Sequence, residues 1–366
     1  MQITISRKVL ADALNELAPL AGKNKALLVL NNVKFVTKGS KIRMQTSDAD
    51  TTIRKYVDAE EIDQDGSFLV DCASLTAFVN KVNEDRLTLV LNDNTLTVKH
   101  SKGKASFQAL PPDDFHEVNI ADESVSVTLP AQDFAKLVGI ARNFVSHDDY
   151  RVILRPIRAI VEGGRFTVCA TDTRAMFTDS IELDSEAPAA SWTIEQSVFG
   201  MLVNACKGEE SVTVTVSPRS VTYRIGTTTF YTSQTQGNYP DFNRVIPKSH
   251  KIEVKCDKNE VLNTITRASL FVEESNLVRV AVDETEMNIA VDNISKLKNM
   301  SEKVTCESNE QTTLGVDARI LVECVKACAA ANLTIELEDA SHPIVFKDSD
   351  NPCRVVLCMP MRLVNP

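Results

Sequence analysis

Histidines and cysteines are the residues on which catalysis or metal binding would draw first, and in this 366-residue chain their spacing offers little. His100, His116, His147, His250 and His342 are scattered, and none has a local cysteine or carboxylate at ligand spacing. His147, in VSHDDYR, adjoins Asp148 and Asp149. Three consecutive side chains cannot all face one point, so a solvated loop is expected there. The nine cysteines form no CxxC pair and come closest at Cys324 and Cys328, a helical spacing. They read as small buried hydrophobes in a reducing compartment. No GxxxxGK[ST], HExxH or GxSxG is present, and no GxGxxG follows a strand pattern; AGKNKA and EGGRF read as turns. The sequence therefore points away from an enzyme and implies no metal and no cofactor.

Recognition chemistry is more visible, in NYPDFNRVIP, Asn238 to Pro247. The prolines make the segment too broken for a helix or a buried strand and hold it rigid, so little entropy is lost when something binds. Tyr239, Phe242, Val245 and Ile246 supply apolar surface, and the planar fork of Arg244 can meet carbonyls or a carboxylate. The competing reading is that these apolar groups only seal a junction between domains.

The elements that position this connector recur. The chain is long enough, and at 43% apolar content rich enough, for two or three domains. QITISRKVLADALNELAPL, SVTLPAQDFAKLVGIARNF and IEVKCDKNEVLNTITRASLF each read as a short alternating strand running into an amphipathic helix. Strand-like text around Asp48, Asp172 and Asp292 follows, at offsets of 124 and 120 residues. Second helices are expected to open at Asp71, Glu195 and Asp317, where an acidic residue suits the helix dipole. Paired strands then turn at Asn92–Asn94, Ser217–Arg219 and Asp339–Ser341. Three diverged copies of one α+β unit account for the chain, as domains 1–120, 121–247 and 248–366, each with two helices against antiparallel sheets.

The repeat length, ATDTRAM at 170–176, YPDFNRVIP and the near-terminal MPMRL together resemble the bacterial β sliding clamp, the processivity subunit of DNA polymerase III. The likeness spans the whole chain. It departs at Thr173, Arg174 and Ala175, where the family has Gly, His and Arg, and in the extra Val364, Asn365 and Pro366. The resemblance implies a head-to-tail homodimeric ring that encircles duplex DNA without reading its sequence, tethers the replicative polymerase and docks the clamp loader and repair proteins. It also implies a partner-peptide pocket walled by Leu154, Thr171, Met176, Pro240, Val245, Met359, Pro360 and Met361, with Arg174 and Arg244 at its rim. Geometry agrees with a pair of chains. Six helices about 9–10 Å apart close a circle only about 18 Å across, too narrow for a duplex once helix radii of about 5 Å are subtracted. Twelve leave roughly 26 Å clear, enough for B-DNA.

Net charge is −10, which on its face disfavours a nucleic-acid partner. A ring resolves this if Lys8, Lys23, Lys25, Lys81, Lys136, Arg142, Lys207, Arg267 and Lys326 face the hole while acidic connectors such as DAEEIDQDG lie outside it. Closure requires matched edges, for which Phe107 and Leu110 in the first repeat and Leu270 and Phe271 in the third are the candidates. A three-repeat interaction scaffold that never embraces DNA is the alternative. The N-terminus has no apolar run of the kind that targets secretion, and a cytoplasmic protein is expected.

Overall fold

The computed structural model describes residues 1–115, 124–183, 187–273, 275–293 and 298–363. His116, the side chain of Asp292 and the C-terminal Val364, Asn365 and Pro366 lie outside the described residues. Among those described there are six α-helices: α1 (Arg7–Leu17), α2 (Cys72–Lys81), α3 (Ala131–Ala141), α4 (Phe199–Ala205), α5 (Lys258–Ala268) and α6 (Ala318–Ala327). Each repeat carries two, as its periodicity requires, and all the sheet pairing is antiparallel, so the α+β class holds.

The chain forms two units, one of residues 1–135 and 197–234, the other of 136–196 and 235–366. Each contains one large sheet, of 13 strands in the first and 12 in the second. The middle repeat supplies strands to both. Thr228–Ser233 pairs with Thr51–Asp58 of the first repeat, and Ala175–Glu182 pairs with Val355–Cys358 of the third. In the first unit α1 buries Leu10, Leu14 and Leu17, an i, i+4, i+7 stripe, and each such leucine contributes about 1.5–3 kcal/mol. Asn15 of α1 and Asn80 of α2 exchange side-chain hydrogen bonds at 3.2 and 2.8 Å. In the second unit α5 buries Val261, Thr264, Ile265 and Ala268.

The three second helices do not all begin as their acidic residues imply. Asp71 accepts from Ser74 N, and Asp317 accepts from Arg319 N and Ile320 N, so both cap their helices. Glu195 does not. Its carboxylate takes Thr193 Oγ1 at 2.7 Å, with Thr235 N and Thr235 Oγ1 both at 2.9 Å. α4 follows a 3₁₀ turn, Gln196–Val198, and starts with no side-chain cap. Glutamate, one methylene longer than aspartate, is not among the preferred cap residues.

The strand turns fall where the sequence puts them, between Asn92 and Thr95, Val216 and Ser220, and Leu337 and Ile344. Eight of the nine cysteines are buried free thiols and Cys353 is exposed. No described helix is long and apolar enough to cross a membrane.

Candidate functional site

The acidic residue that marks each repeat organises a turn, seen in two copies. At Asp48, Oδ1 accepts from Asp50 N and Thr51 N, Ser47 Oγ donates to Thr51 O, and Ala49 N donates back to Ser47 Oγ. At Asp172, Oδ1 accepts from Arg174 N and Ala175 N, Thr171 Oγ1 donates to Ala175 O, and Thr173 N donates to Thr171 Oγ1. The residue after each aspartate has positive φ, 86° at Ala49 and 78° at Thr173. Glycine reaches that region freely and a β-branched residue only under strain. The Thr173 hydroxyl accepts a hydrogen bond from Arg151 Nη1, and the same nitrogen donates to Asp172 O at 3.0 Å.

Around this turn Thr171, Arg174, Met176 and the tail residue Met359 come together in the second unit. Thr171 and Met176 are register partners across the hairpin, and Ala175 pairs with Cys358 at the start of the tail. Met359 N donates to Arg174 O and Met361 N to Gly315 O, both at 2.7 Å, so the backbone of MPMRL is pinned on either side of Pro360. Leu154 ends the 3₁₀ turn Val152–Leu154, whose preceding residue is Arg151.

The connector joins from above a small core. Cys169, Met176, Val345 and Leu357 form a buried cluster against which Tyr239, Phe242 and Ile246 pack. Asp241 accepts from Asn243 N and opens the 3₁₀ turn Phe242–Arg244, which points Val245 the other way, 51% exposed. Three of the connector's four apolar side chains therefore seal, and the fourth is presented to solvent. Burial drives the Tyr239 hydroxyl and the Cys169 thiol well above their ordinary pKa ranges, so both are neutral beneath the connector, with the Arg158 guanidinium close enough to Tyr239 to interact with it.

The ten expected residues divide by exposure. Met176 and Leu154 are buried, at 1% and 5%, and so offer little accessible wall. Val245, Met359 (39% exposed), Pro240, Pro360, Met361 and Thr171 keep free surface. Arg174 is exposed but tied, with Nη1 at 3.4 Å from Asp317 Oδ2 and Nε at 3.5 Å from Asp172 Oδ2. Arg244 is held by Nε to Asp241 at 3.0 Å and otherwise extends into solvent. The expected residues thus present exposed apolar side chains together with two exposed guanidiniums. Arg151 escaped the sequence reading, and its only signal is its place in the repeat ahead of ATDTRAM.

The expected basic residues are all exposed, among them Lys23 and Lys25 in a loop that Asn24 holds by accepting from Ala26 N and Leu27 N. Lys8, Lys23, Lys25, Lys81, Lys136, Arg142 and Lys207 form no ion pair among the described residues. Arg267 is clasped by Glu302, and Lys326 meets Glu323 at 3.0 Å. Pairing raises the Arg267 pKa and lowers that of Glu302. Across the helices, the exposed charges are Lys8, Lys81, Lys136, Arg267, Arg319 and Lys326 against Asp12, Asp133 and Glu260. The helix faces are thus basic in a chain that is acidic overall.

Of the four edge candidates, Leu270 is 76% exposed and Phe107 is half-buried, its ring 5.7 Å from that of Phe78. Phe271 is half-buried, and Leu110 packs on the cluster of Leu30, Leu69 and Phe115 inside its own unit. More telling is the backbone. Strand Gly103–Leu110 pairs along one side with Thr95–His100, but on the other only Ala109 and Leu110 find partners among the described residues. Strand Lys298–Ser308 pairs with Glu286–Asn293, but on its other side only Cys306, Glu307 and Ser308 are met among the described residues.

Two family models match the chain, the DNA polymerase III beta subunit N-terminal domain over residues 1–119 and its C-terminal domain over residues 243–362. The Beta sliding clamp of Bacillus subtilis (strain 168) is 21% identical over 377 residues, with 99% of this chain and 100% of the relative covered. That of Caulobacter vibrioides (strain NA1000 / CB15N) is 22% identical over 380 residues, again with 99% and 100% covered. Among solved structures, a DnaN sliding clamp from Pseudomonas aeruginosa bound to griselimycin superposes with a TM-score of 0.94 at 20% identity, covering 99% of this chain and 100% of that one. The DNA polymerase III beta subunit of Thermotoga maritima gives 0.92 at 17% identity, with the same coverage.

Proposed function

The chain belongs to the DNA polymerase III beta subunit family, the beta sliding clamps, and on that premise we propose which of its residues do a clamp's work. A sliding clamp is a processivity factor and not an enzyme. As a homodimeric ring it encircles duplex DNA, tethers the replicative polymerase and is docked by the clamp loader.

In our reading the three domains are 1–120, 121–247 and 248–366. The exposed bases of the helices, with Lys23 and Lys25, face the duplex and neutralise phosphates without reading bases. The peptide pocket is the surface of Val245, Met359, Pro360, Met361, Pro240 and Thr171 above a floor of Leu154 and Met176, rimmed by Arg174 and Arg244. The ring closes where the half-paired strand Gly103–Leu110 of one chain meets Lys298–Ser308 of the other, with Phe107, Leu110, Leu270 and Phe271 packing beside the junction. The observation that carries this reading is the pair of strands with one open side, because an exposed edge is a liability that folds ordinarily cover. Eight buried free thiols fit a reducing, cytoplasmic setting.

The test is topological. With a matched loader and ATP, the protein should remain on nicked circular DNA at salt that abolishes electrostatic binding, and should be shed when the circle is cut. Equal retention on linear and circular DNA would overturn the reading and favour a scaffold that does not encircle DNA.

A further inference from the structure

The histidines do not all lack partners, as their spacing in the sequence implied. His250 stands between two glutamates, with Nε2 at 3.7 Å from Glu253 Oε2 and Nδ1 at 3.5 Å from Glu336 Oε2. The fold creates the second contact, since Glu253 and Glu336 are register partners in the antiparallel ladder of Ile252–Asp257 with Asn332–Leu337. Two carboxylates placed directly opposite each other repel, so this pair gains from a cation between them. Lys255 meets Glu253 through the other oxygen, Oε1, at 3.0 Å, and Lys347 approaches Glu336 no nearer than 3.8 Å. Lys255 leaves Glu253 Oε2 to the imidazole, whereas Lys347 shares Glu336 Oε2 with it at the longer distance.

We propose that His250, Glu253 and Glu336 form a binding site for a divalent transition-metal ion of the zinc class. One imidazole nitrogen and one oxygen from each carboxylate lie within 4.8 Å of one another. A tetrahedral ion with bonds of about 2.0–2.2 Å holds its ligands about 3.3–3.6 Å apart, so side-chain movement of about 1–1.5 Å closes the set. Mixed nitrogen and oxygen donors suit zinc, cobalt or nickel better than calcium or magnesium, which take oxygen alone. A cleft of about 220 Å³, lined by Lys248, Ser249, His250, Glu336, Glu338 and Lys347, leaves room for water at the fourth position. The ion would tie the segment just past Pro247 to the sheet of the third repeat, fixing the exit of the connector.

The experiment uses the full chain in a Cys353→Ser background, which removes the one exposed thiol. Titration with Zn²⁺ by calorimetry should give one site per chain, weakening on acidification because protons compete for the ligands. Co²⁺ should give visible d–d bands of a four- or five-coordinate complex. His250→Ala, Glu253→Gln and Glu336→Gln, each checked for native circular dichroism, should weaken Zn²⁺ binding at least about tenfold and abolish the Co²⁺ bands. Failure of the Cys353→Ser protein to bind either ion would overturn the proposal. So would unchanged affinity in His250→Ala, which would place the ion elsewhere.

Discussion

Val245→Ala combined with Met361→Ala separates a binding surface from a sealed junction. Val245 is 51% exposed, so about half of its surface is still in water and open to a ligand. Truncation to alanine removes the equivalent of two methylenes at about 0.8 kcal/mol each, of which about half, or about 0.8 kcal/mol, is lost from binding. Met361 is half-buried, and its backbone is held by Gly315 O at 2.7 Å whatever its side chain, so its truncation leaves the tail in place. It removes three heavy atoms, and the share still exposed is worth at least a further ~0.8 kcal/mol. Together the losses come to about 1.6 kcal/mol, or roughly fifteenfold in affinity. The assay is fluorescence titration with a labelled peptide carrying a glutamine followed by leucine and phenylalanine anchors, alongside sedimentation to confirm the dimer. Met176→Ala is the contrast. As a buried residue it should cost about 2–5 kcal/mol of stability and act on the peptide only through the fold. Unchanged peptide affinity in the double variant, with the dimer intact, would show that the connector only seals.

The 40.3 kDa chain should sediment as a dimer, and Leu270→Ala with Phe271→Ala should yield monomers, whereas Leu110→Ala should lower stability first; a wild type that is monomeric at micromolar concentration would refute the ring. Arg354 binds Asp179 at 2.7 Å and Asp348 at 3.1 Å, all three groups buried, so Arg354→Met should cost about 3–5 kcal/mol in urea unfolding by stranding two carboxylates; a loss below about 1 kcal/mol would contradict that. Burial holds Cys72 and Cys206 up at about 11 and Cys256 and Cys328 at about 12, so at pH 8 they are almost entirely protonated. Only Cys353 should react quickly with a disulfide reagent in the native state, and a second fast thiol would refute this.

The repeats were legible because strand-to-helix punctuation is local, and each copy had to solve the same burial problem with its own residues. The resemblance proposes which residues line the pocket, but how deeply each is buried was not legible. Nothing in ATDTRAM says that Met176 is buried against Val345 and Leu357 or that Arg174 is tied to Asp317, 143 positions away, because those partners are distant in the chain. Glu195 misled for a related reason, since its partner Thr235 is 40 residues distant and diverts a carboxylate that local logic would put on a helix. The charge-paired groups, Arg354 with Asp179 and His250 with Glu336, were invisible for the same cause. Strand register brings them together, and spacing along the chain does not report register.

Hydrogen bonds between backbones are made from the same N–H and C=O groups in every protein, so a ring zipped along Lys298–Ser308 would be joined by contacts that carry no signature of the chain making them. Discrimination between one clamp and another would fall to the few side chains beside the seam. A cell holding two such chains would then assemble mixed rings unless those side chains forbid it, and a mixed ring would present two unlike peptide pockets to the partners that compete for them.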